Sequence, residues 1–273
     1  MSPDIVTVED ALNLDAIRQQ LDGRSVGRQI VLHDVVASTN TTLRELAAAG
    51  APEGTVILAE SQTAGRGRAN KAWFSPPGVN LYASILFRPA IAPASAPVLA
   101  FIASIALADT LRALGARPAL KWPNDVLVKG RKVAGVRAEM TSRGLTVDTI
   151  VLGVGVNLNV THEALRAGLG DAAQFATSLR EVLDRTVDRN AFTASFLNYL
   201  EEWLVIYRWK GAPAVLAAWG DLDIVTGRRV EVREGSTAFD GRALGVDAEG
   251  HLRVEDAHGR LHTVAAGEVR LLE

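Results

Sequence analysis

Two strand-like runs separated by only two residues constrain the fold of this chain more than any other feature. The runs are LKWPNDVLV, residues 120–128, and RKVAGVRAEMT, residues 131–141, and a lysine and a glycine lie between them. Such a short connection joins antiparallel neighbours, because parallel strands need a much longer crossover. The proline inside the first run predicts an edge or a bulge, because proline cannot donate to a strand ladder.

The rest of the 273-residue chain mixes helical and strand-like patterns. Apolar residues recur every three or four positions in some segments and every second position in others. The segments predicted as helices are 10–22, 38–50, 97–114 and 190–209, and the predicted strands are 28–37, 54–60, 79–89 and 146–160. We therefore expect an α+β fold in which a mixed, mostly antiparallel sheet packs against helices.

The pattern changes near Gly220. From there to the C-terminus, short alternating runs are separated by the turn-forming segments EGS, DAEG and DAHG. Short strands at such regular spacing are typical of a small antiparallel barrel. We expect one large domain over residues 1–223 and a small β-barrel over residues 224–273.

Composition excludes several classes of function. The chain has no cysteine, which excludes a disulfide framework, a thiol nucleophile and a cysteine-ligated zinc site, and we predict no metal site in the protein itself. A formal net charge of −2 gives no overall attraction to nucleic acid or to an anionic membrane. The longest apolar stretch, residues 97–108, is shorter than the ~18–20 residues that span a bilayer, so it is interpreted as a buried helix. With no signal peptide recognisable, we expect a cytoplasmic protein without a membrane partner.

A basic, glycine-rich segment, AGRGRANKAW at residues 64–73, follows one predicted strand and precedes another. Glycines let backbone N–H groups approach an oxyanion closely, and arginine and lysine add charge-assisted donors. The segment matches neither a Walker A loop nor a dinucleotide fingerprint, because Asn70 stands where the third glycine of the fingerprint belongs. The residues alone therefore leave three alternatives: a phosphate-binding loop, a solvated basic turn, or an RNA-binding segment.

A second group of polar residues interrupts the apolar hairpin. Lys121, Asn124, Asp125 and Lys132 lie within or beside its two strands. Charges this close to a sheet interior need partners or a ligand. An exposed structural role is the alternative, because lysine is usually found at the surface.

Taken together, these segments resemble biotin protein ligases. The resemblance runs from about Ser38 to Asn157, and the small C-terminal barrel fits it too. It implies a class II synthetase-like, biotin–lipoate ligase catalytic domain followed by an SH3-like barrel. The motifs that carry it are STN (38–40), ESQTAGRGR (60–68), the tryptophan at 73, KWPNDV (121–126), RKVAGVRAE (131–139) and GVGVN (153–157).

The resemblance implies a reaction in two steps. The carboxylate of biotin attacks the α-phosphate of ATP, which gives biotinyl-5′-adenylate and pyrophosphate. A lysine of a biotin carboxyl carrier protein then attacks the mixed anhydride and releases AMP. Mg²⁺ is expected to be carried mainly by the nucleotide phosphates.

The resemblance also implies roles for individual residues. Lys132 and Arg68 are the expected catalytic residues, Trp73 is expected to stack on adenine, and the glycine-rich loop is expected to close over the intermediate as a lid. Asp125 is expected to steer Mg²⁺ or to orient a lysine. The implied biotin-binding residues are Ser38, Thr39, Asn40, Gln62, Gly65, Arg66, Arg68, Lys132 and Gly135, and the implied ATP- and adenylate-binding residues are Arg68, Lys71, Trp73, Lys121, Asn124, Asp125, Lys132 and Asn157.

The chain also departs from better-known members of this family. Lys71 stands where they have an arginine, which keeps the charge but loses the bidentate fork. Only 37 residues precede Ser38, which is too few for a DNA-binding module of ~60 residues, so no DNA partner is expected. Three alternatives stay open: a lipoate or octanoate protein ligase or transferase of the same fold, a non-catalytic biotin- or nucleotide-binding module, and a homodimeric rather than a monomeric state.

Overall fold

A sheet of seven strands forms the centre of the larger part of the molecule. The computed structural model describes residues 11–23, 25–67, 71–235 and 237–272. The strands lie in the order β1-β2-β3-β7-β6-β5-β4; β1 and β2 are parallel, and each other neighbouring pair is antiparallel, so the predicted mixed, mostly antiparallel sheet is confirmed. Their bounds are β1 Gln29–Val36, β2 Thr55–Gln62, β3 Leu81–Phe87, β4 Pro118–Lys121, β5 Asp125–Val128, β6 Arg131–Arg143 and β7 Thr146–Val156.

Helices cover the two faces of this sheet. Because strand side chains alternate between faces, Ile85 and Leu152 contact the core formed with α3 and α6, whereas Leu86 and Val151 contact Leu43 of α2 on the opposite face. Residues 153 and 155 of β7, which follow Val151 at every second position, therefore also face the α2 side. The bounds of the helices are α1 Leu14–Arg18, α2 Thr39–Ala48, α3 Pro97–Ala113, α4 His162–Leu169, α5 Leu179–Leu183 and α6 Arg189–Gly220.

The most apolar helix, α3, is a core helix. Together with the turn before it, it spans Pro93–Ala113 and is long and apolar enough to cross a membrane by length and composition, but most of it is buried inside the protein. Phe101 of α3 meets Trp219 of α6 edge to face, with ring centroids 4.9 Å apart. The interpretation of residues 97–108 as a buried helix is confirmed.

The hairpin that dominates the sequence forms as predicted, but with one more turn. Lys129 and Gly130 have φ values of 51° and 75°, which suit the two-residue turn between β5 and β6. The run predicted as one strand, residues 120–128, folds back at residues 122–124, so that β4 pairs with β5. Pro123 therefore lies in a turn rather than within a strand; the turn joins β4, the last strand of the sheet, to β5, and the β5–β6 register shifts beyond it, between Val126 and Leu127.

Two helical predictions need correction, and two helices were not predicted. In the described part of segment 10–22 only Leu14–Arg18 is helical, because the backbone after α1 is bound instead by Asn198 of α6. Segment 190–209 is part of a helix that continues to Gly220 through a kink, where Gly211 has a φ of 72° and Pro213 follows. The short helices α4 and α5 were not predicted.

The C-terminal residues form a second, antiparallel sheet. Its order is β11-β10-β9-β8-β12, which confirms the predicted antiparallel architecture, while closure into a barrel stays a prediction. The Trp122 indole donates to the Gly250 carbonyl over 3.0 Å, so this sheet contacts the turn between β4 and β5. The strands are β8 Arg229–Glu234, β9 Thr237–Val246, β10 Leu252–Asp256, β11 Leu261–Val264 and β12 Glu268–Leu271.

Candidate functional site

Glycines on two neighbouring strands form the floor of the candidate site. Gly135 of β6 pairs directly with Gly155 of β7, and Gly153 lies two positions away on the same face. A Cβ atom at Gly155 would lie 2.5 Å from the Trp73 ring, and one at Gly153 would lie 2.2 Å from the side-chain oxygen of Asn40. The missing side chains therefore leave the space in which Trp73 and Asn40 pack on the sheet.

Lys132 lies beside this floor and contacts two predicted site residues. Its ammonium is 2.5 Å from a carboxylate oxygen of Asp125 and 5.4 Å from the centroid of the Trp73 ring, within the range of a cation–π interaction. A Cβ atom at Gly135 would lie 3.2 Å from the Lys132 ammonium and from the Trp73 ring, so the glycine keeps both in place. The hairpin and the glycine-rich segment thus meet at one point.

Two more lysines contribute to the same electrostatic environment. Burial lowers the pKa of Lys121, and the nearby ammonium groups of Lys132 and Lys71 lower it further, against the opposite effect of Asp125 and Glu268. Lys71 pairs with Glu268 of β12, with its ammonium 2.7 Å from one carboxylate oxygen. Lys71, Lys121 and Lys132 form a cationic cluster, which connects the hairpin, the glycine-rich segment and, through Glu268, the C-terminal sheet.

A polar network lies at the start of α2, next to the glycine floor. The hydroxyl of Ser84 of β3, fully buried, donates to the Asn40 side-chain oxygen over 2.6 Å and lies 2.8 Å from the Thr39 hydroxyl. The Thr39 backbone N–H donates to Gln62 of β2 over 3.0 Å. Ser38 is buried at the N-cap position of α2, but its side chain makes no capping hydrogen bond.

The glycine-rich segment is anchored at both described ends. The backbone N–H of Trp73 donates to the Gly65 carbonyl over 2.9 Å, and the backbone N–H of Gly67 donates to the Lys71 carbonyl over 2.7 Å. Residues 65–67, the first arm, therefore pair with residues 71–73, the second arm. A Cβ atom at Gly65 would lie 3.0 Å from the Gln62 amide, which places this arm against the polar network. Arg66, in the same arm, is exposed. Arg68 and Asn70 lie outside the described residues.

Two predicted adenine-binding residues use their amide groups inside the protein. The Asn124 side-chain N–H₂ donates to the Val136 carbonyl, and that of Asn157 donates to the Thr177 carbonyl over 3.0 Å. In each case one amide N–H and the side-chain oxygen, which is an acceptor, remain for a further partner. Asn124 also lines a mostly apolar cavity of about 200 Å³ on the α3 side of β6, between the seven-stranded sheet and Gly250.

Sequence reasoning missed four residues in this site: Ser84, Arg137, Glu139 and Glu268. Arg137 donates to the Gly67 carbonyl and pairs with Glu139 over 2.8 Å. The signal for these two was present, because they follow Gly135 at every second position of a strand and therefore share its face. The sequence contains no such signal for Glu268, because its contact with Lys71 depends on how the C-terminal sheet packs against the rest of the protein.

No group of three or more histidine, aspartate or glutamate side chains arranged for a metal ion is found within the described ranges. Two carboxylates lie beside the cationic cluster: Asp125, a predicted site residue that contacts Lys132, and Glu268, which pairs with Lys71.

The class of protein follows from two matches that cover both sheets. Residues 32–157 match the model of the Biotin/lipoate A/B protein ligase family, and residues 225–272 match that of the Biotin protein ligase C terminal domain. The solved structure "Biotin protein ligase from Aquifex aeolicus in complex with biotin and ATP" is 24% identical, with a TM-score of 0.74 over 90% of this chain and 99% of that chain. At this level of identity the similarity shows the fold.

Two relatives distinguish between the biotin and lipoate branches of this class. The "Biotin--[acetyl-CoA-carboxylase] ligase" of Mycobacterium tuberculosis is 34% identical, over 93% of this chain and 97% of the relative. The "Bifunctional ligase/repressor BirA" of Bacillus subtilis is 33% identical, over 91% of this chain and 76% of the relative. The chain therefore belongs to the biotin protein ligase family.

Proposed function

We propose that this enzyme joins biotin to ATP on the α2 face of the sheet and then transfers biotin to a lysine of a biotin carboxyl carrier protein. The observation that carries the proposal is the meeting of Lys132 and Trp73 over Gly135, with Lys121 and Lys71 nearby. Together they offer an aromatic face for a base and fixed cations for phosphates. Membership of the family supplies the reaction.

Charge explains what the lysines contribute. A carboxylate and a phosphate must approach each other, and negative charge builds on the phosphoryl oxygens during transfer. In our proposal Lys132 contacts the biotin carboxylate and the α-phosphate, and Lys121 holds the departing pyrophosphate. Asp125 holds the Lys132 ammonium at 2.5 Å, which fixes its position at the start of β6. Arg68 is proposed as the second catalytic residue, and Lys71 as a phosphate-binding residue.

Biotin is assigned to the network at the start of α2. Its ureido group is uncharged and needs directional hydrogen bonds, which Ser38, Thr39, Gln62 and the backbone of the glycine-rich arm can provide. The aliphatic chain that leads to the carboxylate is assigned to the space between this network and Lys132. This order places the ureido end under α2 and the carboxylate at Lys132.

Adenine is assigned to the face of Trp73. The oxygens of Asn124 and Asn157 are the proposed acceptors for its amino group, because the amide N–H₂ groups of both residues already donate to backbone carbonyls. Mg²⁺ would neutralise phosphate charge and be held mainly by the nucleotide, with Asp125 as the protein carboxylate that can steer it. We also propose a cytoplasmic location, division of the chain near residue 223, and activity that does not require DNA.

The proposal is tested by supplying the purified protein with biotin, ATP and Mg²⁺. Mass spectrometry should detect biotinyl-adenylate, and addition of a carrier domain should convert it into biotinylated carrier and AMP. Lys132→Met keeps the length of the side chain and removes the charge, and should slow adenylate formation about 10²–10³-fold. Lys210→Met, at an exposed position of α6, is the matched control and should leave the rate unchanged.

The same assays distinguish a biotin ligase from a lipoate ligase and from a non-catalytic binding module. Replacing biotin by lipoate should give no acyl-adenylate, and preferential use of lipoate would instead assign the chain to the lipoate branch. Binding of biotin without pyrophosphate release would identify a non-catalytic module. Full activity of a folded Lys132→Met variant would remove that residue from the mechanism.

A further inference from the structure

One arginine connects the floor of the site to the glycine-rich segment. Arg137 lies on β6 two residues after Gly135 and is paired across the sheet with Gly153. Its guanidinium donates to the carbonyl of Gly67, the last described residue of the first arm. A side chain that rises from a rigid sheet thus reaches the backbone of the segment proposed to cover the intermediate.

The arginine is itself held in one orientation. Its Nε donates to Glu139 over 2.8 Å, and Glu139 also accepts from Asn40 over 3.2 Å and from Arg44 over 3.3 Å. Burial opposes the ionisation of Glu139, but these hydrogen bonds and the charges of Arg137 and Arg44 outweigh burial and lower its pKa. The carboxylate is therefore ionised near neutral pH, and it links α2 to Arg137 through charge-assisted bonds.

We propose that Arg137 is a positioning residue that holds the Gly67 carbonyl and so keeps the first arm of the loop against the sheet while biotinyl-adenylate is bound. The inference rests on the proposed function, since it assigns the arginine a task only if an adenylate is formed. Glycine backbone is intrinsically flexible, so an arm built on Gly65 and Gly67 needs an external hydrogen bond to stay in one place. Arg137 supplies it without contacting the reacting atoms.

The effect of the contact should fall on retention of the intermediate more than on chemistry. A hydrogen bond from a charged donor is among the stronger contacts that a protein forms. Its loss should let biotinyl-adenylate leave the enzyme about tenfold faster. Lys132, Trp73 and the glycine floor stay in place, so the rate of adenylate formation at saturating ATP should change less than twofold, roughly the limit for substitutions away from the reacting atoms.

The experiment compares Arg137→Leu with Arg137→Lys and with a control on the same strand, Arg143→Leu. Arg143 is highly exposed at the far end of β6 and pairs only loosely with Asp148, at 3.8 Å. Radiolabelled biotinyl-adenylate is formed on each enzyme, the free nucleotide is removed, and release is followed by rapid filtration. Single-turnover formation of adenylate and the thermal midpoint are measured on the same preparations.

Faster release from Arg137→Leu, partial rescue by Arg137→Lys and wild-type behaviour of Arg143→Leu would support the inference. Release at the wild-type rate from a folded Arg137→Leu variant would overturn it. If Arg137→Leu does not fold, Glu139→Gln provides the second test, because it leaves the arginine present but loosely oriented and should raise the release rate by a smaller factor. Failure of the wild type to form adenylate would instead refute the proposed function, so the two failures are distinguishable.

Discussion

Replacing Gly155 by alanine is expected to damage nucleotide binding while leaving the fold in place. The new methyl carbon would lie 2.5 Å from Cε2 and 2.6 Å from Nε1 of the Trp73 indole. Carbon atoms in ordinary contact are ~3.5–4.0 Å apart, so the ring must move by about 1 Å. Because Trp73 is only half-buried, it can move outward, and the cost in stability should be at the low end of overpacking, about 1 kcal/mol.

The functional cost should be larger than the cost in stability. A displacement of about 1 Å at a positioned group can lower a rate about 10²-fold, and here it moves both the surface proposed to stack on adenine and the ring beside Lys132. Steady-state kinetics of pyrophosphate release should therefore show a raised KM for ATP and a lowered kcat/KM. Gly220→Ala, where a Cβ atom meets nothing within 4 Å, is the matched control.

A double-mutant cycle makes the reasoning refutable. If the collision with Trp73 is the cause, Gly155→Ala should have little further effect in a Trp73→Ala background. An equal loss in both backgrounds would show that the methyl group acts on something else. Wild-type kinetics for Gly155→Ala alone would refute the assignment of a stacking surface at Trp73.

Three further predictions follow from charges in the structure. Burial lowers the pKa of Lys121, so this lysine loses its charge at a lower pH than an ordinary lysine does. The affinity for ATP should therefore weaken as the pH is raised from about 7 to about 10. In the Lys121→Met variant the affinity should depend less on pH over the same range. Glu60→Gln should cost about 3–5 kcal/mol in urea unfolding, because its partner Arg189 is a buried charge 2.7 Å away. Glu268→Gln should cost at most about 1 kcal/mol, and less in high salt, since the Lys71–Glu268 pair is exposed; a loss as large as that of Glu60→Gln would contradict this contrast.

The sequence predicted those features that depend on local spacing. The two residues between β5 and β6 required a hairpin, and alternation after residue 220 required a second antiparallel sheet. The parallel pairing of β1 with β2 and the packing of Glu268 against Lys71 depend on contacts between distant segments, which no local pattern encodes. The motif GVGVN could be recognised by resemblance, but its physical role emerged only when the register placed Gly155 under Trp73.

The position of the site follows from where helix α2 begins. Along β7, Val151 is covered by Leu43, Gly153 lies under Asn40 at the first turn of the helix, and Gly155 lies beyond it, under Trp73. A large side chain at the last position would bury the sheet face by itself and leave no room for a ligand. With glycine at that position, Trp73 of the glycine-rich segment covers the sheet face instead of a side chain of the helix. The same residues thus explain why this face is incompletely covered by helices and why a chain segment, with its cations, must complete it.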